Sequence, residues 1–232
     1  MSASSSIALV FGAGQNVGAG VVKAFSAKGY RIATVSRTAT ADTNDKRLHI
    51  LADLEDPESV STVFDTVRKQ LGHPSVVVYN GSLLGLLVAI VSMLTETGAA
   101  ATFVNKEHPL EISLRNAIRD MNINTFSALA AAKEAVKSFE ALPKDAARTF
   151  IFTGNITNSQ PIPALMSQGM GKALHFYYAD ERKADGAAVY RAIDGEAHGK
   201  FYVELSEKDQ GPWLATFVKG TGYVDFSEGS SM

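Results

Sequence analysis

The chain has no cysteine, which excludes a disulfide framework and fits a cytoplasmic protein. Charge of either sign is not in excess: 22 Lys and Arg stand against 24 Asp and Glu, for a net charge of -2 and a pI near 6.2. That balance gives no electrostatic case for nucleic acid or an anionic membrane. The most apolar run, Leu83 to Leu94, is too short for the ~20 residues that span a bilayer. Met-Ser-Ala-Ser-Ser-Ser at the start lacks the basic segment of a signal peptide. The histidines (His49, His73, His108, His175, His198) show no i,i+3 or i,i+4 pairing, so no metal site is expected. Internal repeats and low-complexity linkers are absent too, and 232 residues suit a single domain with a full core.

What the chain does have is concentrated near its start. Ile7 to Val10 read as a buried strand that Phe11 extends into a glycine-rich turn, with Gly12, Gly14, Gly18 and Gly20 leading into an amphipathic segment that runs to about Gly29. Glycines let a backbone turn tightly and approach a pyrophosphate, and a following helix start supplies N–H donors and a positive dipole end. The expected dinucleotide contacts in this loop are Gly12, Gly14, Gln15, Asn16, Val17 and Gly18. The bland alternative is a structural turn with no ligand.

A second strand, Arg31 to Val35, ends at Ser36-Arg37. Proteins that bind NAD usually place an acid there, ~20 residues past the glycines, to hold the ribose 2′-hydroxyl. That acid is missing, and the Arg37 guanidinium suits a phosphate, so NADP is expected in preference to NAD. Otherwise Arg37 is one more solvated charge.

The spacing Gly14-x-x-x-Gly18-x-Gly20 resembles that of the short-chain dehydrogenase/reductase family, and further landmarks agree in order. Asp53-Leu54 follows a third strand (Leu48 to Leu51), where the family sets an acid and an apolar residue beside the adenine. Asn80-Gly81 follows a fourth strand (Val76 to Tyr79), where the family carries Asn-Ala-Gly. Asn122, in Asp-Met-Asn-Ile-Asn, is similar to the helical Asn of the catalytic set, and Lys172 follows a fifth strand (Phe150 to Phe152) at the family's distance. The resemblance covers about residues 5 to 175. It implies an α/β Rossmann-type doubly wound parallel sheet, with helices over Pro57 to Leu71 and Leu110 to Leu142. It also implies hydride transfer between a nicotinamide and a small carbonyl or alcohol substrate.

The catalytic pattern departs from the family's Asn-Ser-Tyr-Lys set. Four residues before Lys172 stands Gln168 where a tyrosine is expected, and the serine position falls on Asn155. An amide has no usable pKa near neutrality, so Gln168 cannot act as the acid. The expected site is therefore Asn122, Asn155 and Lys172, with Thr153 offering a nearby hydroxyl; Lys172 also holds the cofactor ribose. Lys172 as a surface lysine and Asn122 as a local backbone partner are the alternatives. A catalytically silent dinucleotide-binding sensor or interaction protein is the competing function.

Two stretches disagree with the family pattern. Ser82 to Gly98 reads as a translated non-coding insertion, and roughly 20 residues are missing between His175 and Phe176. Phe176 to Ala179 reads as a sixth strand starting four residues after Lys172, too soon for a full crossover helix. A homo-oligomer is expected only in weakened form, because the shortened helix removes part of the family's pairing surface. In the C-terminal part, Asp194 to Lys208 reads as a helix, and Ala215 to Val218 with Tyr223 to Phe226 as a β-hairpin. Trp213 and nearby aromatics either cover the nicotinamide end of the cleft or form a small core under the hairpin. The whole chain, 1–232, is expected to form one dinucleotide-binding domain, with about 180–232 as a divergent substrate or lid region.

Overall fold

A computed structural model of the chain describes residues 6–38, 46–81, 102, 107–154, 177–208, 211–212 and 214–226. The chain opens with β1 (Ile7–Phe11), α1 (Val17–Ala27), β2 (Arg31–Ser36), β3 (Arg47–Leu51), α2 (Ser59–Gln70) and β4 (Val76–Tyr79). A long helix follows in two parts, α3 (Leu114–Met121) and α4 (Ser127–Glu140), joined by a π-helical turn over Asn122–Phe126. Then come β5 (Thr149–Thr153), β6 (Tyr178–Arg182), α5 (Gly195–Glu207), β7 (Leu214–Val218) and β8 (Gly222–Tyr223). Among the described residues all strands lie in one sheet of order β3-β2-β1-β4-β5-β6-β7-β8, parallel except for the final β7–β8 hairpin. This is the expected doubly wound Rossmann-type fold.

The central strands are short runs of β-branched and aromatic residues, buried on both faces as a parallel sheet between helices requires. On one face Leu9, Phe11, Val77, Tyr79 and Phe152 pack against α2 and α4 through Val60, Phe64, Ala131 and Ala135. On the other, Ala8, Val10, Ile32 and Ile151 meet Val21 and Phe25 of α1 and Phe201 and Tyr202 of α5. At the α1–α5 crossing a side-chain carbon on Gly20 would stand 1.8 Å from the Gly195 carbonyl oxygen, and one on Gly199 would stand 2.4 Å from that of Gly20. Gly20, read from the sequence with the loop glycines, thus serves helix packing.

Three further details depart from expectation. The sixth strand is not Phe176 to Ala179: it runs Tyr178–Arg182, so Asp180, Glu181 and Arg182 lie buried in the sheet. Burial is tolerable because the charges are partnered: Arg182 Nε donates to Asp180 Oδ2 at 2.5 Å, and Glu181 Oε2 accepts from the Asp194 N–H at 2.8 Å. The C-terminal hairpin does not stand apart, since β7 extends the parallel sheet beside β6, and its second strand is only Gly222–Tyr223. The helix expected over Leu110 to Leu142 is broken by the π turn. Ser82 to Gly98 and the 175/176 junction lie outside the described residues.

Candidate active site

The strand C-termini open onto a cleft of about 460 Å³. Its walls are the loop after β1, the end of β2 (Val35 to Thr38), the turn after β3 (Ala52 to Leu54), Asn80 and Gly81 after β4, and Ile123 of the π turn. Apart from Lys172, every cofactor contact expected from the sequence lines it: Gly12, Gly14, Gln15, Asn16, Val17, Gly18, Arg37, Asp53, Leu54, Asn80 and Gly81. Such a crevice, outside the strand ends where the order reverses from β1 to β4, is where open α/β sheets bind ligands.

The loop's shape follows from its residue types. Gly12 sits at φ +72°, and a side-chain carbon there would lie 2.4 Å from the Asn80 carbonyl oxygen, so only glycine fits. Asn80 closes this junction by donating from Nδ2 to the Gly12 oxygen at 2.8 Å. Gly18 seats the helix start against Ala13, where a side-chain carbon would come within 2.6 Å of backbone. Gly14 differs: nothing lies within 4 Å of the place its side chain would take, so bare backbone faces open space.

Asn16 stands at the N-cap of α1 but does not cap it. Its amide reaches α5 instead, where Oδ1 accepts from the Gly195 N–H at 3.0 Å and Nδ2 donates to the Ile193 oxygen at 3.3 Å. Asp194 caps α5 itself, taking the N–H groups of Glu196 and Ala197 at 2.9 Å. The Lys219 ammonium first, and then the capping bonds, lower its carboxyl pKa to about 2.

The π turn supports the opposite wall. Tyr79 donates to the Ile123 carbonyl at 2.5 Å, which satisfies an oxygen displaced by the irregular turn. Burial pushes the Tyr79 hydroxyl far above its usual range, so it acts as a fixed donor. Ser127 donates to the Leu54 oxygen at 2.7 Å, and Asn122 Nδ2 to the Glu55 oxygen at 2.8 Å. Asn122 therefore braces the turn that carries Asp53 and Leu54, while Ile123 is the residue of this turn that lines the cleft. Asn124 is fully buried beside it, with Nδ2 donating to the Asp120 carbonyl.

Thr153, at the end of β5, is buried and accepts from the Tyr202 hydroxyl at 2.8 Å. Burial raises the Tyr202 hydroxyl above its usual range as well. Asn155, Gln168, Lys172 and Trp213 lie outside the described residues. Phe217 of β7 stacks on Phe201 at 4.4 Å, a core contact beneath the hairpin. Sequence reasoning singled out Ser36 but passed over Thr38, His49 and Tyr79; a period-two reading of β2 and β3 would have put Thr34, Ser36 and His49 on one face. Among the described residues no helix is long and apolar enough to cross a membrane, and no cluster of His, Asp and Glu is placed to hold a metal.

A parallel sheet of this order, with a glycine loop leading into α1, defines a dinucleotide-binding α/β protein. The short chain dehydrogenase family model matches residues 6–165. A short chain dehydrogenase/reductase of a Cryptosporiopsis species is 46% identical, with 96% of each chain covered. The chain belongs to the short-chain dehydrogenase/reductase family, whose members are nicotinamide-dependent oxidoreductases. Among solved structures, a short-chain dehydrogenase/reductase from Serratia marcescens matches with a TM-score of 0.64 at 19% identity, covering 93% of this chain and 96% of its own. A 3-oxoacyl-[acyl-carrier protein] reductase from Brucella melitensis matches with a TM-score of 0.72 at 14% identity, covering 94% and 96%. These two similarities bear on the fold alone.

The cleft residues fit a nicotinamide dinucleotide. Gly14 leaves room for a pyrophosphate against bare backbone, and Asn16 leaves the α1 start without a side-chain cap. Asn80 Oδ1, buried behind the cleft, has no hydrogen-bond partner among the described residues.

Proposed function

We propose that the protein is an NADP(H)-dependent oxidoreductase of one domain that interconverts a small carbonyl and its alcohol. The observation that carries this reading is the wall at the end of β2. Ser36, Arg37 and Thr38 line the cleft with hydroxyls and a guanidinium, and the acid that would select a free 2′-hydroxyl is absent. Arg37 is exposed at the rim, where a 2′-phosphate can reach it. In this reading the loop from Gly12 to Gly18 holds the pyrophosphate, Asp53 and Leu54 flank the adenine, and Asn80 and Gly81 hold a ribose.

When bound, the nicotinamide supplies or accepts the hydride. The chain must then orient the substrate oxygen and move one proton to or from it. Asn155 contacts that oxygen; Thr153, buried and engaged by Tyr202, is left as a support for the β5 end. Lys172 holds the ribose and a water that relays the proton, while Asn122, bonded to the Glu55 carbonyl, acts only through the wall it braces. Gln168 takes no part in the proton transfer. Losing a positioned general acid costs ~10²- to 10⁴-fold, so turnover on simple aldehydes and ketones is slow. We place the protein in the cytoplasm on its cysteine-free composition.

Titration of the purified chain with NADPH and NADH tests the reading. A charge-assisted contact to phosphate is worth roughly 1.5–3 kcal/mol, so NADPH should bind ~10- to 100-fold more tightly. Arg37→Ala should remove most of that difference, and equal affinities in the unaltered protein refute it. Gln168 favours a second reading, a cofactor sensor without chemistry, which tight NADPH binding with no turnover of any carbonyl substrate would support.

A further inference from the structure

His49 of β3 lies opposite Thr34 of β2 in the parallel register, so its ring shares a sheet face with Thr34 and Ser36. From there it meets the cleft wall from behind. Its Nε2 stands 3.0 Å from the Thr38 carbonyl oxygen, and its Nδ1 stands 2.9 Å from Thr34 Oγ1. A carbonyl only accepts, so Nε2 carries the proton. In the neutral ring Nδ1 is then the acceptor, and Thr34 donates to it in preference to the Leu48 oxygen 3.5 Å away. Ser36 Oγ donates to the same Thr38 carbonyl at 2.9 Å. Two donors thus converge on one oxygen and fix the Thr38 carbonyl, one residue beyond Arg37. The turn that presents Arg37 is otherwise a bend at the end of a strand.

We propose that His49 is a positioning residue for recognition of a 2′-phosphorylated adenosine. The chain Thr34–His49–Thr38, with the Ser36 bond to the same carbonyl, holds the main chain of residues 36–38 so that Arg37 meets that phosphate without the turn first being ordered. The inference rests on the NADP reading above. It assigns His49 no contact with the ligand: the ring acts through Thr38. Ordering a turn at the moment of binding reduces affinity, and fixing it beforehand removes that cost.

The test is calorimetric titration of the full chain with 2′,5′-ADP and with 5′-ADP, which differ only in the phosphate the turn is held to receive. The unaltered protein should prefer 2′,5′-ADP. His49→Phe keeps a ring of similar size but removes both nitrogens. It should weaken 2′,5′-ADP by roughly threefold to tenfold, the scale of one or two hydrogen bonds, and change 5′-ADP by less than ~2-fold. His49→Gln, whose amide can still donate to the Thr38 carbonyl, should recover part of the loss. Should His49→Phe fail to fold, Thr34→Val serves in its place, since it keeps the ring and removes the donor to Nδ1; it should shift the preference in the same direction. An unaltered protein with no preference between the two ligands overturns the NADP reading and this inference with it. A preference undiminished in His49→Phe, or a variant that weakens both ligands equally, overturns the role of His49 and leaves the NADP reading standing.

Discussion

Replacing Gly20 with alanine should destabilise the protein, although alanine is the better helix former. Two opposing effects are at work. Within α1, Gly to Ala gains ~1 kcal/mol of helix propensity. At the crossing, however, the new methyl would sit 1.8 Å from the Gly195 oxygen and 2.3 Å from its carbon, where ordinary contact begins at 3.4 Å. The obstacle is backbone, anchored by the Asp194 cap and the Asn16 amide, so it cannot rotate aside as a side chain would. The helices must part by more than an ångström. A radial gap of ~0.5–1 Å already forfeits a quarter to a half of the dispersion energy of each contact. Val21 and Phe25 on α1 and Phe201 and Val203 on α5 are the residues exposed to that loss. Overpacking costs ~1–3 kcal/mol and sometimes more, and an immovable obstacle belongs at the upper end. The net cost should be about 2 kcal/mol, which lowers the melting temperature of a chain of this size by roughly 4–8 °C. Differential scanning fluorimetry measures it, with Gly14→Ala as the control. At Gly14 the methyl meets nothing in the protein, so stability should barely change while NADPH binding weakens. A Gly20→Ala variant as stable as the parent would refute the packing argument.

Further outcomes follow from individual contacts. His198 is buried and its pKa is lowered to about 4, so folding opposes its protonation. The unfolded histidine titrates near 6.5; stability is therefore complete above that value and declines as pH falls toward 4. Glu181, 3.3 Å from His198 and with its pKa raised by burial, acts in the opposite sense and shallows the slope. Denaturant titrations between pH 7 and 4 should show the decline, and His198→Gln should flatten it; a slope unchanged in the variant would point to another group. Tyr202→Phe removes the bond to Thr153 and should cost about 1–2 kcal/mol in urea unfolding, with NADPH affinity unchanged. A variant of unaltered stability would show that this buried bond contributes nothing net.

Much of the fold was legible because its physics is local. Strands β1 to β5 and helix α2 announce themselves through runs of Val, Ile and Phe separated by turn residues, and α5 through Asp194 at its cap. The cleft wall was legible for a similar reason, since glycines, Arg37 and Asn80 sit at fixed offsets from strand ends. Strand β6 was placed two residues early because Asp180-Glu181-Arg182 reads as a solvated turn. Only the Arg182–Asp180 pair and the Asp194 N–H, the latter supplied by a distant segment, make those charges tolerable inside a sheet. Gly20 looked like its loop neighbours because sequence spacing does not say which partner a helix face meets. His49 and Thr34 carry no motif; their alliance exists only in the register of β2 on β3.

The Asn16 amide closes a contact across 179 positions of sequence, from the first turn of the chain to the start of α5. During synthesis at ~5–20 residues per second, the glycine loop emerges roughly ten to thirty-odd seconds before its clasp exists. Until then α1 has no partner for its glycine face, and the nucleotide loop has no fixed entry angle. The segment made earlier thus waits for the later one to be completed. A ribosome-bound chain halted before Ile193 should leave this loop open to protease, and dinucleotide protection should begin only once α5 has emerged.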